Sequence, residues 1–382
     1  MNGVGRHGRR AWFPHLQALR ALAVTGPVLM HLWPHDVTAS ALTQRLTGIG
    51  FLGVELFFVI SGFLITGILL AARDGLGAGS GVGATFGSFY ARRALRIFPV
   101  YWLLLVALAI AGVSAVRENF WWQFTYLWNV RVTELGMWPE FVSHFWSLAV
   151  EEQFYVAWPL LVLLAPRRAL PWAMLATCIA APLYRAAMLA ADQPFHATVL
   201  LPACLDVLGL GGLLAWLWHE RPAWRARFAA IALAAGALGT LAHLALYLSS
   251  SEAWLTAWPL ARTSYALLFV ALVDRAASGF SGWWRQLAEW QPVVRLGTIS
   301  YGVYLLHPVT GALLQIAGVT PGLAMQSPLA WFLLQIAATI ALAELSWRVL
   351  EEPLNRLRRH FPYPGDAADV NTARLATSQP AP

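Results

Sequence analysis

Lysine is absent from this 382-residue chain, and charge of either sign is sparse: charged residues make up 12% of it. A soluble chain of this size needs roughly 25% to cover its surface, so an ordinary soluble globular domain is excluded. Cysteine is nearly absent too. The only two, Cys178 and Cys204, both fall in apolar segments, which excludes a disulfide framework and leaves no metal-ligand pattern. An uninterrupted leader core is also missing. Arg6, Arg9 and Arg10 precede the first apolar stretch, but Arg20 breaks it, so that stretch is expected to be a retained helix and not a cleaved signal.

What is present is apolar surface. Hydrophobic residues make up 58% of the chain, mean hydropathy is +0.57, and twenty tryptophans suit membrane interfaces. Crossing the hydrocarbon core takes about 20 apolar residues. Ten segments qualify: 16–33, 48–71, 98–115, 144–165, 171–190, 197–218, 228–248, 256–273, 296–317 and 329–350. No internal repeat is visible, GLGAGSGVGA at 75–84 reads as a flexible loop, and the tail from Pro362 reads as disordered.

All 26 basic residues are arginine, so the net charge of +7 can be mapped by arginine alone. With the N-terminus inside and the helices alternating, 19 arginines fall on the cytoplasmic side. Only Arg45, Arg117 and Arg131 fall outside, and Arg20, Arg185, Arg262 and Arg348 lie within or at the ends of helices. That asymmetry is a positive-inside signal, not a nucleic-acid surface. The expected fold class is an all-α polytopic membrane protein of about ten transmembrane helices, both termini cytoplasmic. Residues 1–14 form a basic N-terminus, 15–358 the membrane domain and 359–382 a disordered tail.

Ionisable groups inside spans are costly and mark candidate functional positions. His31 follows Arg20 by eleven residues, a rise of about 16 Å that returns to the same helix face within about 20°. Arg20 is therefore placed near the cytosol with His31 above it, and Pro27 lies between them. Glu55, the block Ser147, Glu151 and Glu152, Asp206 and His307 are expected at about the level of His31. Glu151 and Glu152 are adjacent and point about 100° apart, so one of them faces the shared cavity.

Each group has a plainer alternative. His31 could be a helix-to-helix hydrogen bonder, Glu55 its pairing partner, and His307 a solvated histidine before Pro308. Arg92, Arg93 and Arg96 in YARRALRIFP either mark topology or clasp phosphates, with Arg92 and Arg96 sharing a helix face. ENFWWQFTYLWNV at 118–130 is an interfacial belt or a carbohydrate-stacking surface. Imidazole with a carboxylate suits general-base chemistry. Proton-coupled transport uses the same residue types.

Five motifs occur in order: LQALRALAVTGPVLMHLWP, GFLGVELFFVISGFLITGILL, FYARRALRIFPVYWL, HFWSLAVEEQFYVAWPLL and LGTISYGVYLLHP. Together they resemble the membrane-bound acyltransferase 3 family, which acylates envelope polysaccharide, lipopolysaccharide and glycolipids. The resemblance runs over residues 12–358, strongest to about 165 and at 296–308. It implies His31 as the catalytic residue and Arg20 as its paired arginine. It places the family's second-helix acid, commonly Asp, at Glu55. Arg92, Arg93 and Arg96 are then the acyl-CoA ligands, and Ser147, Glu151, Glu152 and Tyr155 match the WSLxxEEQFY block, with Ala149 where some relatives have Ser. Asp206 matches the sixth-helix acid. Many relatives add an SGNH-type esterase domain; this chain reads as a standalone acyltransferase.

The resulting expectation is a multi-pass protein of the inner (cytoplasmic) membrane. It would move an acyl group, most simply acetyl, from cytosolic acyl-CoA to a hydroxyl of an envelope carbohydrate or glycolipid. His31, Glu55, Glu151 and Glu152 are its expected catalytic residues, with Glu55 orienting His31. Arg20, Arg92, Arg93 and Arg96 hold the donor, and Ser147, Tyr155, Asp206 and His307 support the acceptor site. No bound cofactor, metal or nucleic acid is expected. The alternative is a transporter or flippase for a lipid-linked glycan; a non-catalytic helper subunit is a third option.

Overall fold

The computed structural model describes residues 13–34, 48–78, 81–249, 253–319 and 326–363, with the backbone alone at 77–78, 248 and 253–256. The basic N-terminus to residue 12, Arg45, positions 79–80 of the glycine-rich stretch and the tail beyond 363 lie outside the described residues. Among the described residues there is no strand. Those residues include ten helices of 17 residues or more: α1 His15–Leu32, α2 Leu52–Asp74, α3 Val82–Ile110, α4 Phe145–Leu164, α5 Leu170–Ala190, α6 Leu201–Glu220, α7 Pro222–Leu248, α8 Ala253–Ser278, α9 Ser300–Ile316 and α10 Pro328–Ser346. They fall on the ten apolar segments. Seven of the described helical stretches are long and apolar enough to cross a membrane.

Large apolar side chains face outward along these helices. Leu103, Val106 and Ile110 of α3 are exposed, as are Ile231, Leu233, Leu238 and Leu241 of α7 and Leu333 and Leu345 of α10. A water-facing surface would not carry such stripes on helix after helix; lipid-facing surfaces do. The fold is an all-α, multi-pass membrane fold.

Two boundaries differ from expectation. Helix α3 begins at Val82, far ahead of residue 98, and Pro99 lies inside it. Its N-terminal extension includes the arginine cluster, whose unbranched side chains favour helix. On the described parts of the stretch 75–84, Gly75–Ala78 forms a 3-10 turn and α3 starts at Val82. The Trp-rich stretch 118–130 folds into short helices at Phe120–Phe124 and Trp128–Leu135. Its aromatics divide: Trp121 is exposed, whereas Trp128 is fully buried and donates its indole N–H to the Val142 carbonyl at 2.9 Å. A reciprocal amide pair, Asn129 with Gln153, ties that second short helix to α4.

At the centre, α6 packs along α2 and α5, α7 pairs with α8, and α1 lies against α2 and α9. The α2–α6 contact depends on small residues. A Cβ at Gly62 would collide with the Leu208 carbonyl, and one at Gly211 with the Val59 carbonyl. Backbones approach this closely only where side chains are missing, the usual device of membrane helix pairs. Gly62→Ala should therefore force α2 and α6 apart. The expected cost is about 1–3 kcal/mol, read as a lowered melting temperature of the purified protein.

Candidate active site

Three histidines meet near the top of the α1–α4–α9 contact. His31 closes α1, His144 caps α4 and His307 sits mid-way along α9. His31 Nδ1 and His307 Nε2 are 2.8 Å apart, and the rings are nearly parallel at 11°. The His144 ring lies 5.2 Å from that of His307 and 6.4 Å from that of His31, centroid to centroid. His307 and His144 are buried, while His31 is the exposed member. Among the described residues, no group of three or more His, Cys, Asp and Glu side chains could hold a metal ion.

The tautomers follow from which partners can only accept. His307 Nδ1 faces the Tyr304 carbonyl at 2.8 Å and the Val303 carbonyl at 3.2 Å. Carbonyls accept, so in the neutral ring Nδ1 carries the hydrogen and Nε2 is the acceptor. His31 must then donate through Nδ1. This leaves the lone pair of neutral His31 on Nε2, the nitrogen pointing away from the pair. His144 is fixed in the same way: its Nε2–H donates to the Leu305 carbonyl at 3.2 Å, and its buried Nδ1 has no partner.

Below the histidines, side chains at helical spacing continue the column. Along α4, Ser147, Glu151 and Tyr155 follow His144 at intervals of three or four, sharing one face. Along α9, Ser300, Tyr304 and His307 do the same. Ser147 Oγ meets the Tyr304 hydroxyl at 2.6 Å. Ser61 of α2 donates to Glu151 Oε1 at 2.5 Å and lies 3.2 Å from the Tyr155 hydroxyl. A cavity of about 40 Å³ sits among Val54, Phe58, Ser147, Glu151, Ser300 and Tyr304. That is room for about one water.

The column ends in arginine. Arg20 and Arg96 both lie within electrostatic reach of Glu151, Tyr155 and Glu351. The Arg93 guanidinium sits 5.8 Å from the centre of the Tyr155 ring and 5.9 Å from that of Phe89. Arg20, Arg93 and Arg96 thus converge around Tyr155, on the turn of α3 that faces α1 and α4. Arg92 does not join them. It turns to the C-terminal segment, donating to the Phe361 carbonyl at 3.1 Å with Tyr363 beneath it at 5.0 Å. The expected Arg92–Arg96 face is therefore divided between two partners.

Several expected placements are corrected. Glu55 does not touch His31. It lies on the side of α2 toward α8, where Arg262 Nη2 and Nε reach its Oε1 at 2.7 and 2.8 Å. A carboxylate buried to 3% exposure requires an opposite charge, and α8 supplies it. His307 occupies the place beside His31 that Glu55 was expected to fill, and it is buried, not solvated. Asp206 faces away from the column as well, bound by Arg185 Nη1 and Nη2 at 2.8 Å each and by the Thr263 hydroxyl at 2.6 Å. Of the adjacent acids, Glu151 faces the arginines through Ser61 and Tyr155. Glu152 lies on the α3 side, in electrostatic reach of Arg93, Tyr101 and Tyr126.

Sequence reasoning passed over His144, Ser61, Ser300, Tyr304, Glu351 and Arg262. The signal for three of them was present. His144 and Tyr304 stand at helical spacing from residues already singled out, and Arg262 was a buried charge without an assigned partner. A separate cavity of about 340 Å³, with Phe51, Thr198, His243, Trp258 and Tyr265 in its wall, includes none of the histidine or arginine groups above.

A peptidoglycan O-acetyltransferase of Listeria monocytogenes is 27% identical over 392 aligned residues, covering 93% of this chain and 58% of that protein. A putative peptidoglycan O-acetyltransferase of Bacillus subtilis is 28% identical, covering 90% of this chain and 55% of the relative. A putative O-acetyltransferase of Staphylococcus aureus is 28% identical, with 93% and 59% covered. The chain thus spans somewhat over half the length of these curated relatives. No solved structure matches it significantly. The acyltransferase domain matches residues 13–348, nearly the whole chain, and the protein belongs to the membrane-bound acyltransferase 3 family.

Proposed function

We propose that this protein is an O-acyltransferase that carries an acyl group, most simply acetyl, from cytosolic acyl-CoA to a hydroxyl of an envelope carbohydrate of the peptidoglycan kind. It would act in the cytoplasmic membrane. One observation carries the proposal: the Tyr304 carbonyl, His307 and His31 form a hydrogen-bonded line that leaves the lone pair of His31 on Nε2, on the same α1 face as Arg20. The relatives' names supply the acceptor class.

In this reading Arg20, Arg93 and Arg96 hold the donor's phosphates, and the thioester reaches His31 along the Tyr155–Glu151–Ser147 face. His31 Nε2 takes the acceptor's hydroxyl proton as the oxygen attacks the thioester carbonyl. The C–S bond breaks, and the leaving thiolate takes the proton from the imidazolium. His307 Nε2 accepts the His31 Nδ1–H throughout, so the ring keeps its orientation as charge develops on it. Direct attack by Nε2 to give an acyl-imidazole would use the same lone pair. His307 takes the orienting part that a carboxylate plays in catalytic triads.

Membranes containing the protein, given acetyl-CoA labelled in the acetyl group, should move label into envelope carbohydrate. Matched membranes without the protein should not. Acceptor-stimulated transport that proceeds without acyl-CoA and leaves no label in carbohydrate would replace this proposal with the transporter reading.

A further inference from the structure

The last described residues return to the arginine cluster. After α10, a π-helical turn, Trp347–Glu351, leads to a short helix, Glu352–Arg356, and a 3-10 turn, Leu357–His360. The segment is then fastened along α3. Ser88 donates to the Pro362 carbonyl at 2.7 Å, Arg92 donates to the Phe361 carbonyl, and Tyr363 is buried under the Arg92 guanidinium.

These anchors bring Arg358 back against Arg92, Arg93 and Arg96, the charges that act on it most strongly. Its Nε and Nη2 are buried without a hydrogen-bond partner, and so is Nε of Arg93. Of the carboxylates in reach of the cluster, Glu152 acts on Arg93 without a hydrogen bond to it, and the other two are engaged deeper in the column. Glu151 accepts from Ser61, and Glu351 accepts from Ser346 at 3.1 Å. Buried N–H groups on guanidinium cations, unpartnered and beside like charges, are costly to leave unmet. A group with several anionic oxygens would meet them. The planar fork of arginine matches phosphate in particular.

We propose that Arg358, presented by the C-terminal segment, is a ligand of the donor's phosphates and forms a clasp with Arg93 of α3. The proposal rests on the acyl-CoA reading above and extends it. The segment after α10, which resembles a plain positively charged exit in sequence, becomes one wall of the donor site. Arg92 then has a positioning role, holding the segment in place through Phe361 and Tyr363.

The test is steady-state kinetics on the full chain in lipid nanodiscs, with acetyl-CoA and acceptor varied separately. Losing one charge-assisted contact costs roughly tenfold in affinity. R358A should therefore raise the KM for acetyl-CoA about tenfold and leave kcat and the acceptor KM near wild type. R358K should recover part of the loss. R93A serves as the reference. If R93A raises the donor KM and R358A does not, the Arg358 assignment fails and the donor site stands. If neither moves it, the acyl-CoA reading of the arginine cluster fails with it. An equal rise in donor and acceptor KM, or a loss of folded protein that R358K also shows, would make Arg358 a structural residue and overturn the proposal.

Discussion

His31→Ala should abolish acyl transfer while the protein still inserts and folds. A positioned general base contributes about 10²- to 10⁴-fold, and no second imidazole can take its place. In that variant His307 Nε2 loses its partner, but the rings of His307 and His144 are buried, whereas His31 is the exposed member of the three. His307→Ala should cost less. The ring of His31 would lose the acceptor that fixes its tautomer but keep its place on α1. The measurement is acetyl transfer per folded protein, with folding checked by gel filtration and circular dichroism. Wild-type transfer by the His31→Ala protein would sink the mechanism. Equal losses at the two positions would show that the histidines act as one unit, as catalytic groups often do.

Arg262→Ala should damage the protein more than any substitution in the histidine column. Glu55 and Arg262 are 3% and 1% exposed, and their pair joins α2 to α8. Arg262 also donates to the Thr198 carbonyl at 3.0 Å and to Cys204 Sγ at 3.3 Å, drawing α6 and the chain before it into the same knot. Removing one partner strands the other's charge, which typically costs about 3–5 kcal/mol. Removing both is far milder, because no charge is left unmet. Unfolding of Arg262→Ala, Glu55→Leu and the double variant E55L/R262M should show large losses for the singles and recovery in the double. Additive losses would show that the pair is not coupled. A folded Glu55→Leu protein with normal stability but no activity would return Glu55 to the catalytic role expected from sequence.

The helices were legible because lipid imposes a simple rule: about 20 apolar residues per crossing, with arginine sorted by side. The column was half legible. Spacings along one helix, such as Arg20 to His31 or Ser147 to Glu151 to Tyr155, follow from 3.6 residues per turn. Pairings between helices do not. Nothing in the local sequence says that Glu55 looks toward α8 and not α1, or that His307 is turned inward to His31. Those outcomes depend on helix rotation, which close contacts such as Gly62 against Leu208 and Gly211 against Val59 decide. Arg358 was hidden for a related reason. Its partners lie more than 260 residues earlier in the chain, and the contacts that bring it there are made mostly to backbone carbonyls.

The separation of arginines from histidines along α1 has an electrical consequence. On the proposed mechanism, a donor held by its phosphates at the arginine end keeps its negative charge on that side, while only the uncharged thioester arm extends some 16 Å along α1 to His31. Moving one elementary charge through a 100 mV membrane potential involves about 2.3 kcal/mol, and here none need travel. The proton taken from the acceptor returns to the leaving sulfur within the same site. Acyl delivery across the bilayer by this route is electroneutral, and its rate should be the same in energised and de-energised vesicles.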